Sequence, residues 1–156
     1  MPEQPSTAIR KVLVALSELP NATCGDNIFI DRSDSEPLDR DKGELPGMIL
    51  RVPHVAYSFR EGMTLHTATI QVDFQSGNTA GETIDGTNQI AIAQFIAAIG
   101  ADRTLGGMLQ TIEEQDASGS EQSGADVGCA ILTLQALFFT HRGDFFTIVG
   151  QSGETF

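Results

Sequence analysis

The sequence predicts a single domain of the α+β class: a two-layer sandwich in which two helices pack on one face of a mostly antiparallel, mixed β-sheet. Two segments place apolar residues at helical spacing, and four or five segments alternate apolar and polar residues as half-buried strands do. The chain has 156 residues, of which 40% are hydrophobic, so it is long enough to bury one core. No internal repeat or second core is apparent, and residues 1–156 are therefore predicted to form one domain.

The first helix is predicted over residues 6–19. Ser6 or Thr7 can accept a hydrogen bond from the first turn as the N-cap, and Pro20 lies beyond the end. Its apolar residues recur at positions i, i+3, i+4 and i+7: Ile9, Val12, Leu13 and Leu16. This stripe predicts the side of the helix that faces the core.

The second helix is predicted to begin near Asp85 or Thr87. Gly100 is placed as the left-handed glycine that follows a helix. The apolar stripe of this helix consists of Ile92, Phe95, Ile96 and Ile99. Both helices are therefore amphipathic, and each is expected to bury one side against the sheet.

Five segments have the pattern of strands: residues 28–30, 48–59, 66–75, 108–114 and 128–141. The third of these alternates most regularly, which predicts a strand with one face in a core and the other in water. The last has one uniformly apolar face. Pro53, inside the second, predicts a bulge or an edge position there.

Two polar segments are predicted to be mobile loops, and the C-terminal residues are predicted to be a flexible tail. Charged residues, Ser, Pro and Gly dominate residues 31–46. Residues 116–126 contain three Ser, two Gly and three acidic residues. Many of the carboxylates of the chain are therefore expected on two loops.

The charge of the chain excludes several classes of partner. Nine Lys and Arg residues stand against 21 Asp and Glu, which gives a formal net charge of −12 at pH 7. Such a chain repels nucleic acid and anionic lipid surfaces. No run of 18 or more apolar residues is present, and the N-terminal residues lack the basic and apolar regions of a secretory signal. Neither a membrane span nor secretion is predicted.

No motif predicts a catalytic, cofactor-binding or metal site. The glycine-rich residues 100–107 lack the Lys that a phosphate-binding loop places after its last glycines. Residues 39–44 are acidic but miss the spacing of a calcium loop, so weak divalent-cation binding is only an alternative there. The three His are scattered singly, and Cys24 and Cys129 favour two free thiols over one disulfide. The chain is therefore not expected to be an enzyme.

The aromatic residues suggest contacts with other molecules. Five of the nine Phe lie in the last 19 residues: Phe138, Phe139, Phe145, Phe146 and Phe156. Side chains alternate along a strand, so Phe138 and Phe139 cannot both enter one core face, and the same holds for an extended 145–146 segment. Exposed aromatic residues often mark contacts with partners. The alternative is a strand that the loops of the chain cover on both sides.

Two motifs and the order of the elements resemble a known family. Residues 99–109 read Ile-Gly-Ala-Asp-Arg-Thr-Leu-Gly-Gly-Met-Leu, and residues 140–144 read Thr-His-Arg-Gly-Asp. The N-terminal helix, a loop ending in Glu-Leu-Pro at 44–46, the alternating strand 66–75 and an acidic loop follow the same order. The chain thus resembles the phage tail terminators, the tail-completion family that includes the minor tail protein U type.

The resemblance implies a structural protein of the virion. Family members are α+β sandwiches, and six copies form a ring that caps the head-proximal end of the tail tube, stops its polymerisation and presents the head-joining surface. The implied partners are further copies of the chain, the major tail tube protein and a head completion or connector protein, with assembly in the host cytoplasm. No cofactor and no membrane are implied. DNA would pass through the lumen without specific binding.

The acidity is consistent with this role. Six copies would carry six times −12, about −72 formal charges, and acidic residues in the lumen would let DNA slide. Isolated copies would also repel one another, so assembly is expected to depend on ionic strength.

Under this reading, surfaces and not a catalytic cluster would carry the function. The resemblance indicates the loops 31–46 and 116–126 and the corner 142–144 as contact regions. A Pro expected after that corner is replaced by Phe145, which leaves the form of the turn open. The candidate interface residues are Asp34, Glu36, Asp39, Asp41, Phe139, Arg142, Asp144, Phe145 and Phe146.

Two other functions remain open at the level of sequence, and a metal-dependent hydrolase comes third, which tight, stoichiometric metal binding would have to support. The chain could be another head–tail connector or a tail-tube subunit, which would also assemble into rings. It could instead be an acidic inhibitor that mimics DNA, although such a mimic needs carboxylates spaced regularly along one face. Assembly behaviour separates these alternatives.

Overall fold

The computed structural model describes residues 6–30, 32, 38–77, 84–120 and 127–156. In these residues the chain forms two α-helices, six β-strands and one short 3₁₀ helix. Their order is α1 (Ala8–Ser17), β1 (Ile28–Phe29), the 3₁₀ helix (Arg40–Lys42), β2 (Gly47–Arg60), β3 (Met63–Gly77), α2 (Ile84–Ala101), β4 (Thr111–Ser120), β5 (Val127–His141) and β6 (Ile148–Val149).

The strands form one sheet in the order β1-β2-β3-β5-β4, and β6 pairs with the end of β5. Only β1 and β2 run parallel among the described strands; the other pairs are antiparallel. The central strands β3 and β5 pair along their whole length, from Met63 opposite His141 to Gly77 opposite Val127. The sheet is therefore mixed and mostly antiparallel, as the sequence predicts.

The core lies between the helices and one face of this sheet. The inward-facing residues of β3 and β5 oppose one another in register: Ala68 and Ala136, Ile70 and Leu134, Val72 and Leu132, and Phe74 and Ala130. Residues of both helices join them in a single hydrophobic cluster, among them Val12 and Leu16 of α1 and Phe95 and Ile99 of α2. The α+β sandwich with two helices on one face is therefore confirmed.

The first helix follows the sequence prediction closely. The Thr7 hydroxyl accepts a hydrogen bond from the backbone N–H of Arg10 at 3.3 Å, so Thr7 is the N-cap. Val12 and Leu16 are fully buried. The helix ends at Ser17, shortly before Pro20.

The predicted end of the second helix is wrong. Gly100 does not end α2, because the helix continues to Ala101 and the left-handed residues come later, at Leu105, Gly106 and Gly107. The Asp102 carboxylate accepts hydrogen bonds from the backbone N–H groups of Thr104 at 3.0 Å and Gly106 at 2.8 Å. A side chain thus satisfies the N–H groups of the turn that follows the helix.

Strand β4 also differs from the sequence prediction. It begins at Thr111, three residues after the predicted start, and it continues to Ser120, so residues 116–120 of the predicted loop belong to a strand. The reason is that β5 offers partners as far as Cys129, which lies opposite Ser120. A bulge between Glu114 and Asp116 interrupts this pairing. The rest of the predicted loop, residues 121–126, lies outside the described residues.

Other local predictions agree with the structure. The register of β2 shifts between Arg51 and His54, where Pro53 predicts a bulge. Neither Cys24 nor Cys129 is in a disulfide. In the described part of segment 31–46, Leu38 is buried and its N–H donates to Gln75 Oε1 at 3.1 Å. That this segment is mobile stays a prediction. The same holds for the predicted flexible C-terminal tail, whose last residue bonds back to β6.

Replacing Gly47 by Ala is expected to destabilise the fold by about 1–3 kcal/mol, because the added Cβ overpacks the start of β2. That atom would lie 2.5 Å from the Glu44 carbonyl oxygen and 2.7 Å from Leu38 Cδ1. Urea unfolding measures the effect. The control is Gly119→Ala in β4, where the added atom meets nothing within 4 Å. Equal stability of the two variants would contradict the prediction.

Candidate interaction surface at the β2–β3 hairpin

Four exposed aromatic side chains gather at the hairpin that joins β2 and β3. Their exposed fractions are 51% for Tyr57, 62% for Phe59, 38% for Phe145 and 47% for Phe146. Tyr57 and Phe145 contact one another, with ring centroids 5.0 Å apart. We call these four residues the aromatic surface. Large apolar side chains grouped on the outside of a folded chain are typical of interaction sites.

A buried histidine supports the aromatic surface from below. The His66 ring lies 5.1 Å from Tyr57, 4.6 Å from Phe145 and 4.5 Å from Phe138, on which it stacks. Its Nε2 is hydrogen-bonded to the Thr140 hydroxyl at 2.9 Å. Burial lowers the pKa of His66, because the charged imidazolium is poorly solvated there. The surface therefore rests on a neutral, closely packed layer.

The corner after β5 fixes the position of two of the aromatic residues. Asp144 Oδ1 accepts hydrogen bonds from the backbone N–H groups of Phe146 at 2.7 Å and Thr147 at 3.2 Å. These bonds hold the pKa of Asp144 below its usual value. The guanidinium of Arg142 lies 4.6 Å from the centre of the Phe59 ring, a cation–π contact. The corner thus joins the aromatic side chains of β2 to those that follow β5.

Helix α1 holds the same corner in place. The N–H of Ala8, at the start of the helix, donates to the Phe145 carbonyl at 2.8 Å. One turn further, Lys11 Nζ donates to the carbonyl oxygens of Phe146 at 2.6 Å and Phe156 at 3.1 Å. Backbone groups beside Phe145 and Phe146 are therefore bonded to a helix, while their rings face solvent.

The structure brings together four of the candidate interface residues: Arg142, Asp144, Phe145 and Phe146. Phe139 lies on the opposite face of the sheet from Phe138, where it is half-buried between Leu65 and Val149. Phe145 occupies the position of the expected Pro. The turn is still ordered there, because the Asp144 carboxylate accepts hydrogen bonds from the N–H groups of Phe146 and Thr147.

The acidic candidates lie elsewhere. Asp39 and Asp41 flank the start of the 3₁₀ helix, near the Gln75 end of β3, and the Asp41 N–H donates to Asp39 Oδ1 at 2.9 Å. Gln75 and His66 are nine positions apart along β3, which is roughly 30 Å of strand. Asp34 and Glu36 lie outside the described residues. Asp39 and Asp41 are therefore separate from the aromatic surface.

Tyr57 and Phe59 were missed by reasoning from sequence. Together with Val55 they alternate with smaller or polar residues, which predicts that they share one face of β2. That face is the core face, since Tyr57 lies opposite the buried His66. These side chains are exposed because the two helices do not extend over this end of the sheet. No sequence pattern indicates how far along the sheet the helices extend.

A second surface of distinct chemistry lies on β4, at the other edge of the sheet. Residues 113–119 are all exposed. The Glu114 carboxylate pairs with Arg103, with Nη1 and Oε2 2.9 Å apart, and this bond lowers the pKa of Glu114. Glu113 and Asp116 form no ion pair with another described residue. We call Glu113 and Asp116 the acidic pair.

The described residues offer no cluster that resembles a catalytic or metal centre. No group of three His, Cys, Asp or Glu side chains among them could hold a metal ion. Burial raises the pKa of the Cys24 thiol to about 12, which keeps it protonated and unreactive near neutral pH. None of the helices in the described ranges is long and apolar enough to span a membrane.

The buried His66 is expected to make the fold sensitive to mild acid. Its folded-state pKa lies below its usual value of 6.5, so the unfolded chain binds a proton that the folded chain does not. The stability is therefore fully present above about pH 6.5 and falls as the pH drops from there towards the folded-state pKa. Thermal unfolding across this range measures it.

His66→Gln is the matched variant, because Gln keeps a polar side chain but does not titrate. We expect this variant to lose the acid sensitivity between neutral pH and the range where carboxylates titrate. An unchanged pH dependence would show that another group causes it.

No protein-family model matches the sequence, and no curated protein matches it. The fold is similar to that of a chain in the solved structure "Virion of native gene transfer agent (GTA) particle". The TM-score is 0.51 with 18% sequence identity, and the match covers 84% of this chain and 90% of that chain. At this identity the likeness establishes a shared fold over most of both chains.

Proposed function

We propose that the chain is a structural protein of a phage-like virion, and more specifically a tail terminator. The observation that carries the proposal is the similar fold of a chain in the virion of a gene transfer agent, which spans most of both chains. The resemblance of residues 99–109 and 140–144 to the tail terminators supports the more specific role.

In this proposal copies of the chain form a ring, six in number by the resemblance, at the head-proximal end of the tail. The ring binds the last ring of the major tail tube protein on one side and a head completion or connector protein on the other. DNA passes through the lumen without specific binding, and the charge of −12 per chain disfavours its adhesion. The chain would act in the virion after assembly in the host cytoplasm.

The function proposed is assembly and not catalysis. The distinctive groups of the structure are surface groups: an aromatic surface at one edge of the sheet and an acidic pair at the other. Aromatic residues and Arg are enriched at protein–protein contacts, and Phe59 beneath Arg142 combines both. Arg142, Asp144, Phe145 and Phe146 are proposed to contribute to contacts in the particle.

Two measurements test the proposal. Light scattering on the purified chain gives its native mass, and a closed species of six chains would have a mass of about 100 kDa, six times 16.7 kDa. The chain is then added to growing tubes of the tail tube protein, and tube length is followed by electron microscopy. A terminator stops growth at the tube ends.

Other outcomes would replace the proposal. Open-ended stacking of the chain itself would indicate a tube subunit. Tube growth that is unaffected by the chain would exclude the terminator role. Binding to a DNA-handling enzyme that DNA competes away would instead favour the acidic mimic.

A further inference from the structure

We infer that the aromatic surface binds the acidic pair of a second copy of this chain. The inference rests on the proposed function and names the contact that would join neighbours in the ring. Three features of the structure carry it: the composition of the aromatic surface, the charge around it, and the position of the two surfaces at different edges of one sheet.

The aromatic surface has the composition of a binding hot spot. Tyr57 and Phe59 are both more than half exposed, and the Arg142 guanidinium lies over the Phe59 ring. Aromatic residues and Arg dominate the binding energy of many interfaces. The surface is also held rigidly, because backbone groups at Phe145 and Phe146 bond to helix α1. A rigid surface loses little conformational entropy on binding.

Two basic and two acidic side chains flank the aromatic surface: Arg60 and Arg142, and Glu61 and Asp144. The Asp144 carboxylate is already bonded to the backbone N–H groups of Phe146 and Thr147, so this region is less acidic than the chain as a whole. Arg60 ends β2 and Arg142 follows β5, and both are exposed. Neither forms an ion pair with another described residue. By contrast, Arg32 pairs with Glu44 and Arg103 with Glu114. Two guanidinium groups that lack an ion-pair partner in the described ranges, placed beside exposed rings, therefore favour an acidic partner.

A second copy of the chain offers such a partner. Glu113 and Asp116 lie on β4, are exposed, and form no ion pair within the described part of the chain. β4 is the edge strand beside β5, so none of the described strands lies beyond it. Two acidic side chains on one copy thus match two basic side chains on the next.

The placement of the two surfaces makes the contact head-to-tail. Among the described strands, β1 pairs only with Met48–Ile49 of β2, so the half of β2 that carries Tyr57 and Phe59 is the other edge of the described sheet. Strands β3 and β5 separate the two edges, and one copy cannot join its own surfaces. Each copy therefore gives its aromatic surface to one neighbour and its acidic pair to the other. Contacts of this type generate a closed ring when the repeated rotation from one copy to the next returns to the first copy.

Charge reversal tests the contact. Arg60→Glu with Arg142→Glu changes the basic side, and Glu113→Arg with Asp116→Arg changes the acidic side. Each double variant alone juxtaposes like charges, so we expect the concentration needed for assembly, measured by light scattering, to rise about tenfold or more. An equimolar mixture of the two double variants should assemble again, because each basic surface then meets an acidic one in alternation.

Matched controls separate this effect from net charge and from folding. Glu18→Arg reverses an exposed charge at the end of α1, away from both surfaces, and should leave assembly unchanged. Circular dichroism and the thermal midpoint of each variant report whether the fold is intact. Folded double variants that assemble like the wild-type chain would overturn the inference, as would a mixture that fails to recover. A wild-type chain that stays monomeric at its highest soluble concentration would also overturn it.

The tube-growth experiment separates this inference from the proposed function. Double variants that keep the ring mass but no longer stop tube growth would show that the surfaces bind a tube or head protein. The inference would then be wrong and the terminator role would stand. Rings that respond to charge reversal as expected, yet leave tube growth unaffected, would support the contact and exclude the terminator role.

Discussion

Replacing Phe138 by Ala is expected to lower the free energy of unfolding by about 3–5 kcal/mol, which is a large part of the stability of a typical domain. Phe138 is fully buried on the core face of β5 and stacks on His66, with ring centroids 4.5 Å apart. Its removal leaves a cavity at the place where the helix layer and the aromatic surface meet. Urea unfolding measures the loss.

Phe139→Ala is the control, since it removes the same side chain from the next residue of the same strand. Phe139 is only half-buried and lies on the face of the sheet opposite the helices. We expect a clearly smaller loss of stability. Losses of equal size would show that the second face of the sheet is as tightly packed as the core.

Replacing Asn21 by Ala is expected to cost about 1–3 kcal/mol, because the buried Cys24 N–H loses its hydrogen-bond acceptor and the bond to helix α2 is lost. Asn21 Nδ2 donates to the Ala91 carbonyl of α2 at 3.0 Å. Its Oδ1 accepts from the N–H groups of Thr23 at 3.2 Å and Cys24 at 3.0 Å. The Thr23 N–H keeps a second acceptor, Gln94 Oε1 at 3.0 Å. One buried side chain thus orders the turn after α1 and joins that turn to α2.

Gln89→Ala is the matched control, since it removes an amide from an exposed position of α2. It should change the unfolding free energy by less than about 0.5 kcal/mol. A second test of the Asn21 prediction uses thiol labelling, because a loosened turn would expose Cys24. Labelling of Cys24 at the wild-type rate in Asn21→Ala would contradict the role assigned to Asn21.

Much of the fold could be predicted because its signals are local. The alternation in residues 66–75 reflects one buried face and one open face of β3, and the Thr7 cap and the Pro53 bulge depend on neighbouring residues alone. The single hydrophobic core follows from two amphipathic helices and one apolar face of a sheet. The alternation, the cap and the bulge do not depend on distant parts of the chain, and the core follows once the apolar faces pack together.

The errors arose where distant residues decide the local structure. Residues 116–120 have the composition of a loop, yet they form a strand because β5 supplies hydrogen-bond partners for them. Gly100 has the residue type of a helix end, but the Asp102 carboxylate provides the bonds that order the turn beyond it. The composition of a segment indicates which secondary structure it prefers, and pairing with a distant strand can override this preference.

The candidate surface was predicted in part. The excess of Phe near the C-terminus indicated Phe145 and Phe146, and the structure places them together with Arg142. Tyr57 could not be connected with them from sequence, because the two segments come together only in the folded chain, where β3 pairs with both β2 and β5 and Tyr57 contacts Phe145. Asp39 and Asp41 were predicted to be interface residues because they lie in the loop 31–46, and the fold places them at the far end of the sheet.

The pairing of β3 with β5 also constrains how the chain can fold during synthesis. Every residue pair in this ladder joins positions at least 50 apart, from Gly77 with Val127 to Met63 with His141. Such distant pairings form slowly, because a long loop must close before any contact compensates for its entropy. The hairpins β2–β3 and β4–β5 can form early, but they can join along their full length only after His141 has left the ribosome. A chain truncated before Val127 would lack β5, and it would therefore lose a central strand of the sheet and not an edge strand.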